Sequence, residues 1–314
     1  MMAAPVACVG AGLIGRGWAI VFARAGHEVR LWDENPGAPA AARDFAAKML
    51  PELESQGLID CTAEDALGRI HPVATLEEAL DGAEHVQEST FEEIGVKRAI
   101  FARLDAIAGP ETVLASSSSA LLPSAISEGL EGHHRVMVNH PINPAYLIPA
   151  AELVPAPWTD PALMERTANM LRSAGMRPIV MQKEIDGFVM NRMQGALLHE
   201  AFRLVADGYA SAEDVDIGLR EGLALRWSFI GPFETIDLNA PEGIRQYVER
   251  YAGIYDGLSD QPAADWRGPV LDSIEAERRA ALPAQALAER QAWRDRRLMA
   301  LAAHKRRATD EIGD

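Results

Sequence analysis

Short runs of aliphatic and β-branched residues alternate with longer segments of helical period through the first half of the chain. Val6 to Val9 reads as a strand. Ile14 to Ala25 reads as a helix closed by Gly26, a residue suited to the left-handed C-terminal cap. Further strands are predicted at Glu28 to Trp32, Arg69 to Val73, His85 to Gln87, Val113 to Ala115 and Arg135 to Val138. Helices are predicted at Ala38 to Gln56, interrupted or bent near Pro51, and at Val96 to Ile107. Leu163 to Ala174 and Arg177 to Met181 add one more helix and strand. Such alternation predicts an α/β fold, a Rossmann-type and mostly parallel sheet with helices on both faces.

The texture changes after Gln182. GFVMNRMQGALLHEAFRLVA, residues 187–206, has helical period and no proline, and the remainder is helical pattern broken by GP, AP and QP turns. The expected organisation is an α/β domain over residues 1–184 and a helical C-terminal domain over 185–314. The last helical stretch, LAERQAWRDRRLMALAAHKRRA, carries a Leu/Met/Ala stripe among charges. It reads either as an exposed amphipathic helix or as a subunit contact.

Composition narrows the class. A chain of 314 residues with 48% hydrophobic content can bury a sizeable core in two domains. Its formal charge of −16 argues against nucleic acid or an anionic membrane as partner, since phosphates attract basic surfaces. Two cysteines suggest neither a disulfide framework nor a metal cluster. The opening residues lack a basic leader, and no apolar run approaches the ~20 residues of a membrane span. A cytoplasmic location is therefore expected.

The first motif with chemical content is VGAGLIG, which sets Gly10, Gly12 and Gly15 between the first strand and the first helix. In that context Gly10 permits the tight turn, Gly12 lets the backbone approach a pyrophosphate, and Gly15 lets the helix pack on the strand. Leu13 and Ile14 would supply backbone contacts at the helix N-terminus. The second strand ends at Asp33, eighteen positions after Gly15. A carboxylate there accepts hydrogen bonds from a ribose diol and repels a 2′-phosphate, so NAD is favoured over NADP; FAD is the other dinucleotide the motif allows.

Three further segments lead to one edge of such a sheet. The fifth strand runs into Ser116-Ser117-Ser118-Ser119, and the sixth into His140. Glu152 follows a proline-rich stretch, HPINPAYLIP, and could return to meet His140. A histidine held by a carboxylate is the usual arrangement for a base of fixed tautomer. Asn191 is polar in an apolar first turn of the C-terminal region. Each residue has a plainer reading: Ser119 as a helix cap, His140 as a strand-end histidine, Glu152 as a surface carboxylate, Asn191 as an N-cap.

The stretches VGAGLIGRGWA, SSSSALLPS, HPINPAYLIPAAELVP, KEIDGFVMNRMQGALLHEAFRLVADG and EGLALRWSFIGPFETIDLNA resemble the 3-hydroxyacyl-CoA dehydrogenase superfamily. The likeness is greatest to its lambda-crystallin / L-gulonate 3-dehydrogenase branch. It implies His140 and Glu152 as the catalytic pair, Ser119 and Asn191 as active-site partners, and Glu92 and Lys97 as NAD contacts. The last two otherwise read as a solvated pair at a helix start. The resemblance also implies a homodimer formed through the C-terminal helical domain. Departures bear on the substrate. Pro141-Ile142 stand where the acyl-CoA enzymes usually carry aromatic residues. Segment 38–69 is acid-rich, with little charge support for CoA phosphates. A small free hydroxy acid is therefore expected, oxidised at C3, with L-gulonate to 3-dehydro-L-gulonate the leading candidate. L-carnitine, a 3-hydroxyacyl-CoA, and a structural, crystallin-like role are the alternatives. Arg226, a charge in the apolar run Leu225 to Ile230, is a candidate partner for the substrate carboxylate, or else pairs with Glu221 or Glu234.

Overall fold

The computed structural model describes residues 3–313, apart from 242, 256, 257, 259–268, 270, 271, 274, 275, 277, 278, 281 and 282. Among the described residues, Val, Leu and Ile runs build one eight-stranded sheet. The strands are β1 (Ala3–Val9), β2 (His27–Trp32), β3 (Ile70–Pro72), β4 (His85–Glu88), β5 (Val113–Ser116), β6 (Val136–Pro141), β7 (Ala150–Pro155) and β8 (Arg177–Val180). Their spatial order is β3-β2-β1-β4-β5-β6-β7-β8. β3 through β6 pair in parallel as expected, whereas β7 runs antiparallel to β6 and parallel to β8. The order reverses between β1 and β4, which opens a crevice at their carboxyl ends.

Two cores cover the two faces of the sheet. On one, Val6, Cys8, Val29, Leu31, Met137 and Leu153 pack beneath α1 (Leu13–Arg24), α2 (Ala38–Ser55) and α7 (Pro161–Ser173). On the other, Ala7, Val9, Val86, Leu114, Val136 and Val138 pack beneath α4 (Leu76–Leu80), α5 (Ile94–Ile107) and α6 (Pro123–Ser127). Alternate residues of one strand thus serve opposite cores, as the two-residue side-chain period requires. The short helix α3 (Ala63–Gly68) starts at Thr62, whose side chain accepts from Asp65 N.

The chain forms two compact units, Met1–Arg192 with Ala292–Asp314, and Met193–Gln291. Helix α8 (Met190–Ala206) leads from the first into the second. Within the second unit lie α9 (Ala212–Ile217), α10 (Ala224–Trp227), α11 (Pro232–Leu238) and α12 (Ile244–Tyr255). That unit leaves Phe229, Phe233 and Leu238 exposed at 73%, 76% and 67%.

The final helix, α13 (Leu287–Ile312), rejoins the first unit. Met299 lies 3% exposed in the α1/α2 core, and Arg306 reaches the carbonyl of Gly57 at 2.7 Å and the carboxylate of Asp60. Its Leu/Met/Ala stripe therefore packs against the chain's own sheet domain. No helix among the described residues is long and apolar enough to cross a membrane.

Candidate active site

The glycine loop has the geometry that a dinucleotide phosphate needs. Gly10 adopts φ +96°, and a Cβ there would lie 2.7 Å from the backbone of Ser89, in the loop after β4. A Cβ on Gly15 would lie 1.8 Å from the Gly10 carbonyl oxygen, so only glycine allows α1 to start this close to β1. Gly12 faces open space, and α1 begins there without a side-chain cap. Its first N–H groups are left for an outside acceptor. Asp33 closes the loop from β2. One carboxylate oxygen accepts from Ala11 N at 2.7 Å and the other from Asn35 N at 2.8 Å. These residues fit a dinucleotide: a bare helix start, a close approach at Gly12, and a carboxylate already oriented at the loop.

The β6–β7 ladder sets His140 directly opposite Glu152. His140 Nδ1 lies 2.7 Å from Glu152 Oε2. Against an ionised carboxylate that nitrogen carries the proton, leaving Nε2 as the acceptor. Glu152 is fully buried, and its other oxygen accepts from Val189 N at 2.7 Å and Met190 N at 2.8 Å. Burial alone would raise the Glu152 pKa, but the hydrogen bonds from His140, Met190 and Val189 outweigh it and hold the carboxyl below its ordinary value. Phe188 makes this possible. It adopts φ +50°, rare for a side chain with a Cβ, immediately after Gly187 at φ +76°. That turn aims the next two N–H groups at Glu152 and sets the buried Phe188 ring 5.7 Å from the His140 ring.

The next residue along, Asn191, donates through Nδ2 to the Ser119 carbonyl at 2.7 Å. It lies inside α8 and is not an N-cap. Ser119 does not cap α6 either, whose N-cap position is Leu122. Glu92 holds the serine turn instead: its Oε1 accepts from Ser118 Oγ at 2.6 Å, Ser119 N at 2.8 Å and Ala120 N at 3.0 Å. Desolvation raises the Glu92 pKa, but the Ser118 and Ala120 hydrogen bonds and nearby Lys97 bring it below the usual carboxylate value.

Lys97 is 1% exposed, so a solvated helix-start pair does not describe it. Its Nζ donates to Glu88 at 2.8 and 3.0 Å and to the Thr90 carbonyl at 3.1 Å. Glu88 also accepts from Ser116 Oγ at 2.7 Å and from Thr90 N at 2.5 Å. It is fully buried at the end of β4, opposite Ser116 in the β4–β5 register. This pair fastens the loop after β4 to the start of the serine run. A second tie lies on the opposite sheet face, where Asn139 Nδ2 donates to Gln87 Oε1 at 2.7 Å, one residue before His140. Sequence reasoning singled out neither Glu88, Gln87 nor Phe188. The only available signals were a glutamate and a glutamine in a strand, and the DGF turn before α8.

His140 and Glu152 thus form one hydrogen-bonded group and Asn191, Ser119 and Glu92 another, and the backbone of residues 188–191 joins the two. Arg226 lies in the other unit on α10 and is exposed. Among the described residues it forms no ion pair with Glu221 or Glu234, and Glu221 pairs with Arg220 at 2.6 Å.

Residues 5–185 match the family model for the 3-hydroxyacyl-CoA dehydrogenase NAD binding domain, and residues 187–267 match that for its C-terminal domain. A lambda-crystallin homolog of Bos taurus is 43% identical over 303 residues, covering 95% of this chain and 94% of that protein. An L-carnitine dehydrogenase of a Pseudomonas species is 35% identical over 297 residues, covering 94% and 92%. Among solved structures, FHMPC 5-dehydrogenase, an NAD+ dependent dismutase, superposes with a TM-score of 0.81 at 26% identity, covering 96% of this chain and 97% of that one.

Proposed function

The chain belongs to the 3-hydroxyacyl-CoA dehydrogenase family and is an NAD-dependent oxidoreductase acting on CH–OH groups, and from that premise we propose that it oxidises the C3 hydroxyl of a small free hydroxy acid, L-gulonate first among candidates. The observation that carries this reading is the buried His140–Glu152 pair, its carboxylate held by the N–H groups of Val189 and Met190, the residues that precede Asn191 and its bond to Ser119. Bound NAD supplies the hydride acceptor. Gly10, Gly12 and Gly15, with the N–H groups of Leu13 and Ile14, cradle its phosphates, and Asp33 takes the ribose hydroxyls. Glu92 and Lys97 serve the cofactor through the loop they brace, between the ends of β4 and β5.

His140 Nε2 accepts the substrate hydroxyl proton. Glu152 fixes the tautomer beforehand and stabilises the imidazolium afterwards. Ser119 Oγ and the remaining Asn191 N–H hold the substrate oxygen while charge develops on it. Arg226, a charge in the apolar run Leu225 to Ile230, is proposed for the substrate carboxylate. Arg226→Met then raises KM strongly for a hydroxy acid and much less for its amide; equal losses on both in steady-state kinetics would remove that assignment. The exposed apolar side chains of the helical unit support a homodimer formed through it.

Asp33→Ala weakens NAD binding by roughly tenfold or more, as hydrogen bonds to a charged group are worth about 1.5–3 kcal/mol. It also narrows the preference over NADP; an unchanged NAD affinity on titration would exclude Asp33 as the ribose ligand. The substrate assignment is tested by following NADH formation with L-gulonate, L-carnitine and L-3-hydroxybutyrate. L-Gulonate is expected to give the highest kcat/KM. Preference for L-carnitine would replace the reading with its nearest rival.

A further inference from the structure

Among the described residues, Arg16 is an arginine without an acceptor. It lies one turn into α1, its N–H bonded to the Gly12 carbonyl at 3.0 Å. Its guanidinium carbon sits 3.9 Å above the Phe45 ring, and its Nε is buried with no hydrogen-bond partner. Among the described residues its side chain makes no hydrogen bond or ion pair. Other arginines of this unit behave differently: Arg24 donates to the Tyr146 carbonyl, Arg69 to the Ala23 carbonyl, and Arg135 pairs with Asp105. In a chain of charge −16, carboxylates are plentiful. The one beside Tyr146, Asp295, is engaged by Arg294 at 2.7 Å and approached by the Tyr146 hydroxyl at 3.5 Å.

The location is as informative as the vacancy of partners. Phe45 stacks edge-on against Tyr146 with ring centroids 5.9 Å apart, and a Cβ on Gly17 would lie 3.6 Å from Ala145. Arg16 therefore stands where α1 meets α2 and the loop that follows His140. Its place over Phe45 holds the guanidinium, and the terminal nitrogens, unlike the buried Nε, are left to a ligand. A planar fork with free donors recognises phosphate and carboxylate oxygens. The uncapped start of α1, one turn away, adds to the attraction for negative charge.

We infer that Arg16 is an oxyanion-reading residue, taking either a phosphate oxygen of the dinucleotide or the carboxylate of the hydroxy acid. The phosphate source depends only on NAD being the cofactor. The carboxylate source rests on the substrate reading above and puts Arg16 in place of Arg226 as the partner of that carboxylate.

The test uses the full chain as wild type, Arg16→Met and Arg16→Lys. NADH affinity is measured by fluorescence titration. The melting temperature of each NADH complex is then measured with L-gulonate and with its neutral 1,4-lactone. A phosphate contact predicts that Arg16→Met weakens NADH binding about tenfold or more, with Arg16→Lys recovering part. A carboxylate contact predicts unchanged NADH affinity and loss of the extra stabilisation by L-gulonate over the lactone. If L-gulonate fails to stabilise the wild-type complex, the substrate reading falls and the NADH titration alone decides. If Arg16→Met does not fold, Arg16→Lys decides, since it keeps the charge but loses the fork, and a several-fold weakening is expected. Wild-type behaviour in both measurements overturns the inference and leaves Arg16 as a packing residue on Phe45.

Discussion

His140→Gln loses roughly 10²–10⁴-fold in turnover, the usual contribution of a positioned general base, while NADH affinity stays nearly unchanged. The two effects separate because they belong to different strands. The glycine loop and Asp33 follow β1 and β2, whereas His140 stands near the end of β6, whose preceding residues Val136, Met137 and Val138 are fully buried and anchor it independently. Glutamine fills the space beside Glu152 but offers no group that accepts a proton near neutral pH. Steady-state rates with an NADH titration on the same preparation check both halves. A variant retaining most of the wild-type kcat would remove His140 from the mechanism.

Glu152 is expected to show two separable losses. Glu152→Ala strands the N–H groups of Val189 and Met190 in a partly buried site. At about 1–3 kcal/mol for each unsatisfied donor, a destabilisation of about 2–6 kcal/mol follows, or roughly 4–24 °C in melting temperature for a domain of this size. Glu152→Gln behaves differently. Its amide oxygen still accepts those two N–H groups, so stability is largely kept. Its amide N–H then faces His140 Nδ1, which must become the acceptor and shifts the ring proton to Nε2. The base is lost, and turnover falls by roughly 10³-fold or more.

The pH dependence of stability follows from the depressed Glu152 pKa. A depressed folded value means its stabilisation is fully present above the unfolded value of about 4.3 and is lost as pH falls through the folded value. The melting-temperature gap between wild type and Glu152→Ala therefore narrows only in acid. A gap that stayed constant across that range would show that ionised Glu152 contributes nothing to folding.

Much of the site could be read from residue order. Gly10, Gly12, Gly15 and Asp33 are spaced by covalent sequence, and their geometry follows once β1, α1 and β2 form. His140 and Glu152 were harder. AELVP is short and follows a proline-rich stretch, so no strand is predicted there, and the antiparallel ladder that places the pair in register forms between β6 and a β7 that also pairs with β8. Lys97 shows what single-chain pattern misses. A lysine on a helix is ordinarily solvated, and its burial follows from Glu88, whose inward aim is set by the pairing of β4 with β5. The φ of Phe188 is invisible for a related reason: nothing local favours it, and the contacts of residues 188–190 with the β6–β7 pair sustain it. The return of α13 to the sheet domain likewise has no local signal, since its apolar stripe fits any apolar groove.

The central claim concerns which C–H bond breaks. L-Gulonate carrying deuterium at C3 tests it most directly, with the reduced cofactor analysed by mass spectrometry after turnover. Stoichiometric transfer of that deuterium to the nicotinamide, with 3-dehydro-L-gulonate as product, is the predicted result. NADH formed from the same substrate with all deuterium still on the sugar acid would contradict the account, because the oxidised carbon would then lie elsewhere.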